Sequence, residues 1–354
     1  MNSTLKLHHL ILRLCAVLVC ALAVSQGIQA STPRLDVISP TRVDAGATNV
    51  TVTLSGTSFA NDDKVFVNNV DTAIQTQSGT SLTIAIPDNM LATAGVLTFE
   101  VRATDTTVSV TRTLVVRDPA KINAQASMLT LAASYGDKAA PGSMIALFGT
   151  HLATSSGPAS SFPLPTTING TQVFLDGEAM QLLYVGDDTG GFGQINFILP
   201  DNLTAGSKEV LVLASDGFTT LGTVVIEDQA PGVFTLDQTG TGLPIGITTT
   251  DGLNYSLIWD QNFAPTPITV GPVETPTYLT LFGTGWRHRT ALSAVTVMIN
   301  GVAAEVTYCA EQPDFPGLDQ LNLIIPSSLA GAGSVTVTIT IDGKTANPTT
   351  ITLQ

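Results

Sequence analysis

Few residues in this chain have the types and the spacing that catalysis needs. Nucleophilic catalysis requires a base beside the nucleophile, most often a histidine. Beyond its first 30 residues the sequence contains two histidines, His151 and His288, and both lie in stretches typical of loops. A zinc site needs three or four ligands, which these histidines and Cys309 do not supply. We therefore expect no enzymatic activity, no structural metal and no cofactor.

Paired carboxylates are the remaining candidates for chemistry, because two of them can hydrolyse a glycosidic bond. Each pair lies in a segment rich in glycine or proline, where aspartate usually accepts hydrogen bonds from the backbone. The pairs are Asp62 with Asp63, Asp187 with Asp188, and Asp314 with Asp319. The loop that begins at Asp187 and Asp188 is also a calcium candidate, since calcium accepts loop carboxylates, although it lacks EF-hand spacing. A hydrolase with an unrecognised carboxylate site is our third hypothesis for function.

One basic and aromatic cluster interrupts an otherwise acidic chain, and it comprises Trp286, Arg287, His288 and Arg289. Arginine stacks on aromatic rings both in ligand sites and in purely structural contacts. We consider this cluster as a ligand-binding site and, as the favoured alternative, as part of a contact between domains. Trp259 is a second candidate platform for a sugar ring, and Tyr255 and Tyr278 are the other aromatic residues available outside obvious core patterns. Phe148 and Phe282 lie inside strand patterns and are expected in the core.

Residues 1–30 have the pattern of a secretory signal peptide. Lys6 and Arg13 precede an apolar stretch over 14–24, and small residues lead to a cleavage site before Ser31. The apolar stretch is too short to span a bilayer, and no later stretch is long and apolar enough to do so. We therefore expect a secreted, extracellular or cell-surface protein, or a periplasmic one, with no membrane insertion after the leader is removed.

The net charge limits the classes of partner that the protein could bind, and the number of cysteines limits its disulfides. Removal of residues 1–30 would leave 12 basic and 28 acidic residues, a net charge of −16, because the leader contains two basic residues and no acidic one. Nucleic acids and anionic membranes are disfavoured, since both require basic clusters, so a protein or a glycan at the cell surface remains. Cys15 and Cys20 leave with the leader. Cys309 then has no partner for an intrachain disulfide, and we expect a buried thiol.

A short block that ends in proline occurs three times, at 82–87, 194–200 and 320–326, and indicates one small fold used three times. Alternation along the second copy divides its side chains between two faces of a strand. One face carries Ile195, Phe197 and Leu199, and the other carries Gln194, Asn196 and Ile198. Turn pairs such as Asn300-Gly301 and Asp176-Gly177, between alternating segments, predict tight β-hairpins.

Each copy of the block lies in a unit of six or seven short strands, the number found in an immunoglobulin-like sandwich. We predict an all-β fold of three tandem immunoglobulin-like β-sandwiches, at residues 33–118, 119–230 and 231–354. The second unit would start with a lead-in over 119–140 that forms a short helix or an extended linker. The third would start with a long loop over 235–275.

Several segments of the first unit are similar to an IPT/TIG domain, an immunoglobulin-like fold of plexins, some transcription factors and bacterial surface proteins. These segments are 38–40, 54–59, 65–68 and 82–87. The resemblance covers residues 33–118 and implies a β-sandwich there.

Residues from about 125 to 354 resemble an uncharacterised C-terminal domain found in secreted proteins of Acidobacteria. The segments that carry this resemblance are 140–143, 148–150, 162–165, 194–197, 230–235 and 315–320. The chain departs from the usual pattern of that domain at 287–289 and 252–275. Together the two resemblances imply a bacterial exported β-sandwich protein, and neither supplies a catalytic residue.

We therefore expect an exported, non-catalytic protein that acts in adhesion, interaction or scaffolding at the cell surface or outside the cell. Recognition would use loops at the sandwich ends or an exposed sheet edge. The alternative is a carbohydrate-binding protein that uses Trp259 or Trp286 as a stacking platform.

Overall fold

The computed structural model describes residues 32–354 apart from 104–107, 126, 188, 190 and 191. The predicted leader, residues 1–30, lies outside the described residues. Within the described part of the chain, no helix has the length and apolar character needed to cross a membrane. Regular structure there consists of β-strands and single-turn 3-10 helices, so the predicted all-β fold of tandem sandwiches is confirmed. The 3-10 helices are Asp88–Met90, Pro119–Lys121, Leu292–Ala294 and Ser327–Leu329.

The first unit is a two-layer sandwich. Its strands are β1 (Arg34–Ser39), β2 (Arg42–Asp44), β3 (Thr51–Thr57), β4 (Lys64–Val67), β5 (Val70–Thr72), β6 (Ile74–Gln77), β7 (Ser81–Ala85), β8 (Gly95–Arg102) and β9 (Arg112–Arg117). One layer has the order β1-β3-β7-β6 and the other β2-β9-β8-β4-β5. Alternate side chains of both layers, among them Leu54, Phe99 and Leu114, meet in a core of their own.

The second unit repeats this architecture. Its strands are β10 (Met128–Leu131), β11 (Lys138–Ala139), β12 (Met144–Gly149), β13 (Gly157–Pro158), β14 (Gln172–Leu175), β15 (Glu178–Ala179), β16 (Gln181–Gly186), β17 (Gly193–Ile198), β18 (Gly206–Leu213) and β19 (Thr219–Ile226). The layers have the orders β10-β12-β17-β16-β13 and β11-β19-β18-β14-β15. Ile195 and Phe197 of β17 are fully buried between the layers.

In the third unit, one long strand connects the two layers. Its strands are β20 (Gly232–Val233), β21 (Gly246–Thr249), β22 (Ser256–Leu257), β23 (Tyr278–Thr284), β24 (Val295–Ile299), β25 (Val302–Glu311), β26 (Asp319–Ile324), β27 (Gly333–Ile341), β28 (Lys344–Thr345) and β29 (Thr349–Leu353). The beginning of β25 pairs with β24, and its remainder pairs with β26. Because β25 serves both layers, the two layers form one continuous sheet that folds over a third core.

The predicted hairpin turns are present. Asn300 and Gly301 have φ angles of 48° and 78°, and Asp176 and Gly177 have 47° and 81°. Positive φ at both central residues is what a type I′ turn requires, and asparagine, aspartate and glycine tolerate it best. The turn chemistry therefore fixes the register of β24 with β25 and of β14 with β15.

Both lead-in segments contain strands that were not expected. Residues 119–140, predicted as a short helix or an extended linker, begin with the 3-10 helix Pro119–Lys121, and then β10 pairs with β12 and β11 pairs with β19. Residues 235–275 are not a simple loop, because β21 pairs with β23 and carries β22 at its outer edge. Both segments widen a sheet whose side chains then have more neighbours to pack against.

The first and second units are joined by a small core between them. Val115 of β9 packs with Phe174 of β14 and Leu211 of β18, and all three are at most 4% exposed. The Thr113 N–H donates to the Gly177 carbonyl oxygen at 2.7 Å, and Arg112 pairs with Glu178 at 3.1 Å. The outer face of one sheet is thus buried against the outer face of the next.

The second and third units are joined by polar contacts on separate elements. The Met144 N–H donates to Thr284 Oγ1 at 3.0 Å. Glu227, directly after β19, is held between Lys138 of the second unit and Lys344 of the third, with Lys344 Nζ at 2.5 Å. A side chain at Gly317 would collide with Met144. Backbone and charge together fasten this joint.

Candidate functional site

Trp286 lies in the third core. It is 0% exposed, and its ring occupies the space next to Gly283, where any added Cβ would overlap it. Our prediction of Trp286 as an exposed stacking platform is therefore wrong. The reason is local, because a glycine in β23 leaves a slot that the indole fills.

Arg287 forms a buried ion pair with Asp319. Its Nε lies 2.7 Å from Asp319 Oδ1, and Asp319 Oδ2 accepts the backbone N–H groups of Trp286 and Arg287 at 2.8 and 3.2 Å. Asp319 is 0% exposed. Burial raises the pKa of the Asp319 carboxyl, and the Arg287 charge acts in the opposite direction. The guanidinium is thereby committed to a structural carboxylate.

The same cluster reaches the second unit. Arg287 Nη1 lies 3.5 Å from Asp201 Oδ1, and His288 Nε2 lies 3.2 Å from the same oxygen. Asp201 directly follows the repeated block of the second unit. The cluster therefore contributes to a contact between domains, which was the favoured alternative for it.

Arg289 has a different environment from Arg287. It is half-buried, and its Nε has no hydrogen-bond partner among the described residues. Its charge acts on the thiol of Cys309, which is fully buried in the third core. Burial nevertheless raises the pKa of Cys309 to about 12.

Trp259 is half-buried and packs against the third core. Its backbone pairs with Pro265, and the carboxylate of Asp260 accepts the N–H groups of Asn262 and Ala264 at 2.8 and 2.9 Å. These bonds hold a tight turn next to the tryptophan. Trp259 thus keeps a partly accessible ring on an ordered segment, and its binding role stays a prediction.

The loop at Asp187, which was the calcium candidate, forms a local turn. The carboxylate of Asp187 accepts the Thr189 hydroxyl at 2.6 Å and the Thr189 N–H at 3.2 Å, and these bonds lower its pKa. Asp188 lies outside the described residues. Among the residues that are described, no group of three or more His, Cys, Asp or Glu side chains could hold a metal ion.

The outer face of the third unit carries a group of residues of which sequence reasoning considered only Tyr278 as a binding candidate. We call it the unit-3 face, and its members are Tyr278, Phe282, Tyr308, Gln320 and Asn322. Register places Phe282 opposite Gln320 and Tyr308 opposite Asn322 on neighbouring strands. Directly paired residues share one face of a sheet. All five are half-buried, so they are packed side by side yet open to solvent.

The second unit carries a matching group, in the same register at four of its five positions. We call it the unit-2 face, and its members are Tyr135, Phe148, Tyr184, Gln194 and Asn196. Phe148 lies opposite Gln194, and Tyr184 lies opposite Asn196. Tyr135, which is 39% exposed, packs with its ring centroid 6.3 Å from that of Phe148. The expectation that Phe148 and Phe282 are core residues is therefore wrong.

The amides of both faces are arranged alike. Gln194 Nε2 donates to Asn196 Oδ1 at 2.8 Å, and Gln320 Nε2 donates to Asn322 Oδ1 at 2.9 Å. Asn322 Oδ1 also accepts a hydrogen bond from the Thr280 hydroxyl group at 3.0 Å. Within the described part of the chain, each asparagine Nδ2 and each glutamine Oε1 retains free hydrogen-bonding capacity.

A signal for these faces was present in the sequence. The repeated Gln-x-Asn of the block was visible, but alternation alone would place Tyr184 and Tyr308 in the core. A β-bulge between Leu182 and Tyr184, matched by one between Val306 and Tyr308, turns both tyrosines outward. Bulges commonly re-aim a side chain in this way, and nothing in the strand composition marks them.

Comparison with known proteins supports the assignment of the first unit. Residues 33–115 match the family model of the IPT/TIG domain. No curated protein matches the chain. The resemblance of residues 125–354 to the Acidobacteria domain stays a prediction.

Among solved structures, the chain is similar to SGBP-B of the Bacteroides ovatus mixed-linkage glucan utilization locus, in complex with a mixed-linkage heptasaccharide. The identity is 15% and the TM-score 0.27, over 90% of this chain and 66% of that one. The plexin A4 extracellular region gives 10% identity and a TM-score of 0.20, over 91% of this chain and 34% of that one. The D00-D0 domain of intimin gives 14% identity and a TM-score of 0.18, over 55% of this chain and 100% of that one. The family match gives residues 33–115 the likeness of an IPT/TIG domain.

Proposed function

We propose that this chain is an exported, non-catalytic β-sandwich protein that acts through contact at the cell surface or outside the cell. The observation that carries the proposal is that the buried ion pair of the third unit has a structural role. The Arg287–Asp319 pair, wholly or nearly buried, holds one element of the third unit to another and touches Asp201 of the second. Arg287 also lines the cleft between the second and third units, but its Nε is bound to Asp319 rather than left free for a substrate.

The hydrolase hypothesis can be examined at the cleft between the second and third units. This cleft has a volume of about 440 Å³ and contains Glu178, Asp201 and Glu311. Asp201 and Glu311 are 61% and 66% exposed, and Glu178 pairs with Arg112. A glycosidase needs two carboxyl groups that flank the substrate bond, whereas Glu178 is engaged by Arg112, and Arg287 lies between Asp201 and Glu311. These features favour a binding protein over a hydrolase.

Two measurements test the proposal. Fractionation of the producing cells should find the protein outside the cytoplasm, and a version without residues 1–30 should remain inside. Purified protein should hydrolyse neither chromogenic glycosides nor polysaccharides. Activity that disappears in Asp201→Asn or Glu311→Gln, with Asp187→Asn as the matched control, would overturn the non-catalytic assignment.

A further inference from the structure

We propose that the unit-2 face and the unit-3 face are two equivalent binding surfaces for an uncharged polysaccharide. This inference rests on the proposed contact function and names the class of its partner. Its starting observation is that all five tyrosines of the chain lie on or beside these faces. Tyr255, which is 57% exposed, directly precedes the edge strand β22 of the same sheet as the unit-3 face.

The backbone beneath the faces is not available to a partner. β17 lies between β12 and β16, and β26 lies between β23 and β25, so both strands are paired on both sides. A peptide that adds as an extra strand needs an unpaired edge. Recognition on these faces must therefore come from side chains that stand above the sheet.

Those side chains offer what a sugar requires. Each hydroxyl group can both donate and accept a hydrogen bond, and each face presents a free asparagine Nδ2 donor close to a free glutamine Oε1 acceptor. In the unit-3 face, Phe282 and Tyr308 stand on the strands at either side of these amides. Two strand spacings and an offset of two residues along the strands place them roughly 12 Å apart. Their rings supply apolar surface for the C–H side of a pyranose.

The lack of charged side chains on both faces favours an uncharged ligand. No member of either face carries a charge, and an ionic group held there would lose water without gaining a counter-ion. The chain as a whole has 14 basic and 28 acidic residues, so polyanions are repelled at longer range.

Duplication of the site favours a polymer with a repeating structure. The two faces match in register at four positions, the phenylalanine, the tyrosine, the glutamine and the asparagine. Two weak sites that engage one long chain gain affinity through effective concentration. A single small molecule would gain nothing from the second copy.

The test uses the full mature chain and the variants Asn196→Asp and Asn322→Asp, singly and together. Aspartate keeps the oxygen that accepts the glutamine donor but removes the asparagine N–H₂ donor and adds a charge. The matched control is Asn202→Asp, which adds the same charge at an exposed asparagine away from both faces. Thermal unfolding of each variant should resemble that of the wild type. If a variant fails to fold, Tyr184→Ala with Tyr308→Ala takes its place.

Binding is measured by affinity electrophoresis and titration calorimetry with mixed-linkage β-glucan, arabinoxylan, starch, dextran and mannan, with alginate and heparin as polyanions. We expect at least one neutral polysaccharide to bind, a loss of tenfold or more in the double variant, and wild-type binding in Asn202→Asp. Absence of binding to every neutral polysaccharide, binding to polyanions alone, or equal binding by the double variant would overturn the proposal. Those results would leave the exported, non-catalytic assignment intact, because it depends on location and on lack of turnover.

Discussion

Arg287 Nε lies 2.7 Å from Asp319 Oδ1, and this carboxylate is fully buried in the third unit. Removal of the arginine would leave a buried charge without its partner. We expect Arg287→Met to destabilise the third unit by about 3–5 kcal/mol. Addition of Asp319→Asn to that variant should recover part of the loss, because no unpaired charge then remains.

Urea unfolding of the single and double variants gives the coupling energy between the two residues. The matched control is Lys64→Met, because Lys64 and Asp71 form a pair in which both side chains are at least 50% exposed. It should cost less than about 1 kcal/mol. Equal effects of Arg287→Met and Lys64→Met would contradict the account of the buried pair.

The joint between the first and second units should depend on Phe174. Its side chain is 3% exposed and fills the small core with Val115 and Leu211. We expect Phe174→Ala to cost about 3–5 kcal/mol through lost burial and a residual cavity. Differential scanning calorimetry of this variant should show separate unfolding transitions for the first and second units. Phe192→Ala, at a phenylalanine that is 74% exposed, should change little, and the joint account fails if both variants behave alike.

The slot for Trp286 should tolerate no side chain at Gly283. An added Cβ would overlap the indole ring and the Gly232 carbonyl oxygen. We expect Gly283→Ala to destabilise the third unit by about 1–3 kcal/mol, the usual cost of overpacking. Chemical denaturation followed by tryptophan fluorescence measures it. Gly95→Ala, where no atom lies within 4 Å of the added Cβ, is the control and should be near neutral.

Cys309 should be inert in the folded protein. Burial raises its pKa to about 12, so the reactive thiolate is scarce at pH 8. A thiol reagent such as Ellman's should label the mature native chain slowly, and label one thiol per chain after denaturation in guanidinium. Rapid labelling of native protein would show that the third core is open at this position.

Acid should weaken the joint between the second and third units. Hydrogen bonds from Lys138 and Lys344 hold the pKa of Glu227 below its ordinary value. A carboxyl with a lowered folded-state pKa stabilises the fold above its unfolded pKa of about 4.3, and the contribution disappears as the pH falls through the folded value. We expect wild type to be more stable than Glu227→Gln at pH 7 and to lose that advantage below about pH 4. A difference in melting temperature that does not depend on pH would argue against this role.

Much of the fold could be predicted because its signals are local. Alternation along 194–200 and turn pairs such as Asn300-Gly301 specify strands and hairpins without knowledge of distant residues. The joints could not be predicted in this way. Every residue from Arg112 to Val116 is buried, and a strand with two buried faces does not say which face meets its own core.

The candidate site was less accessible to sequence reasoning. Trp286 looked like a surface aromatic because the slot beside Gly283 exists only after β23 has folded against the core. Simple alternation would also place Tyr308 in the core, whereas the bulge before it turns the side chain outward. Both features depend on tertiary geometry that the neighbouring residues in the sequence do not encode.

The central claim is that this protein is exported and acts by contact. Its most direct test is the N-terminal sequence of the protein recovered from intact cells, together with its accessibility to protease added outside them. The account predicts a chain that begins at or near Ser31 and is cleaved by external protease. A chain that retains residues 1–30 and is protected until the cells are lysed would contradict it.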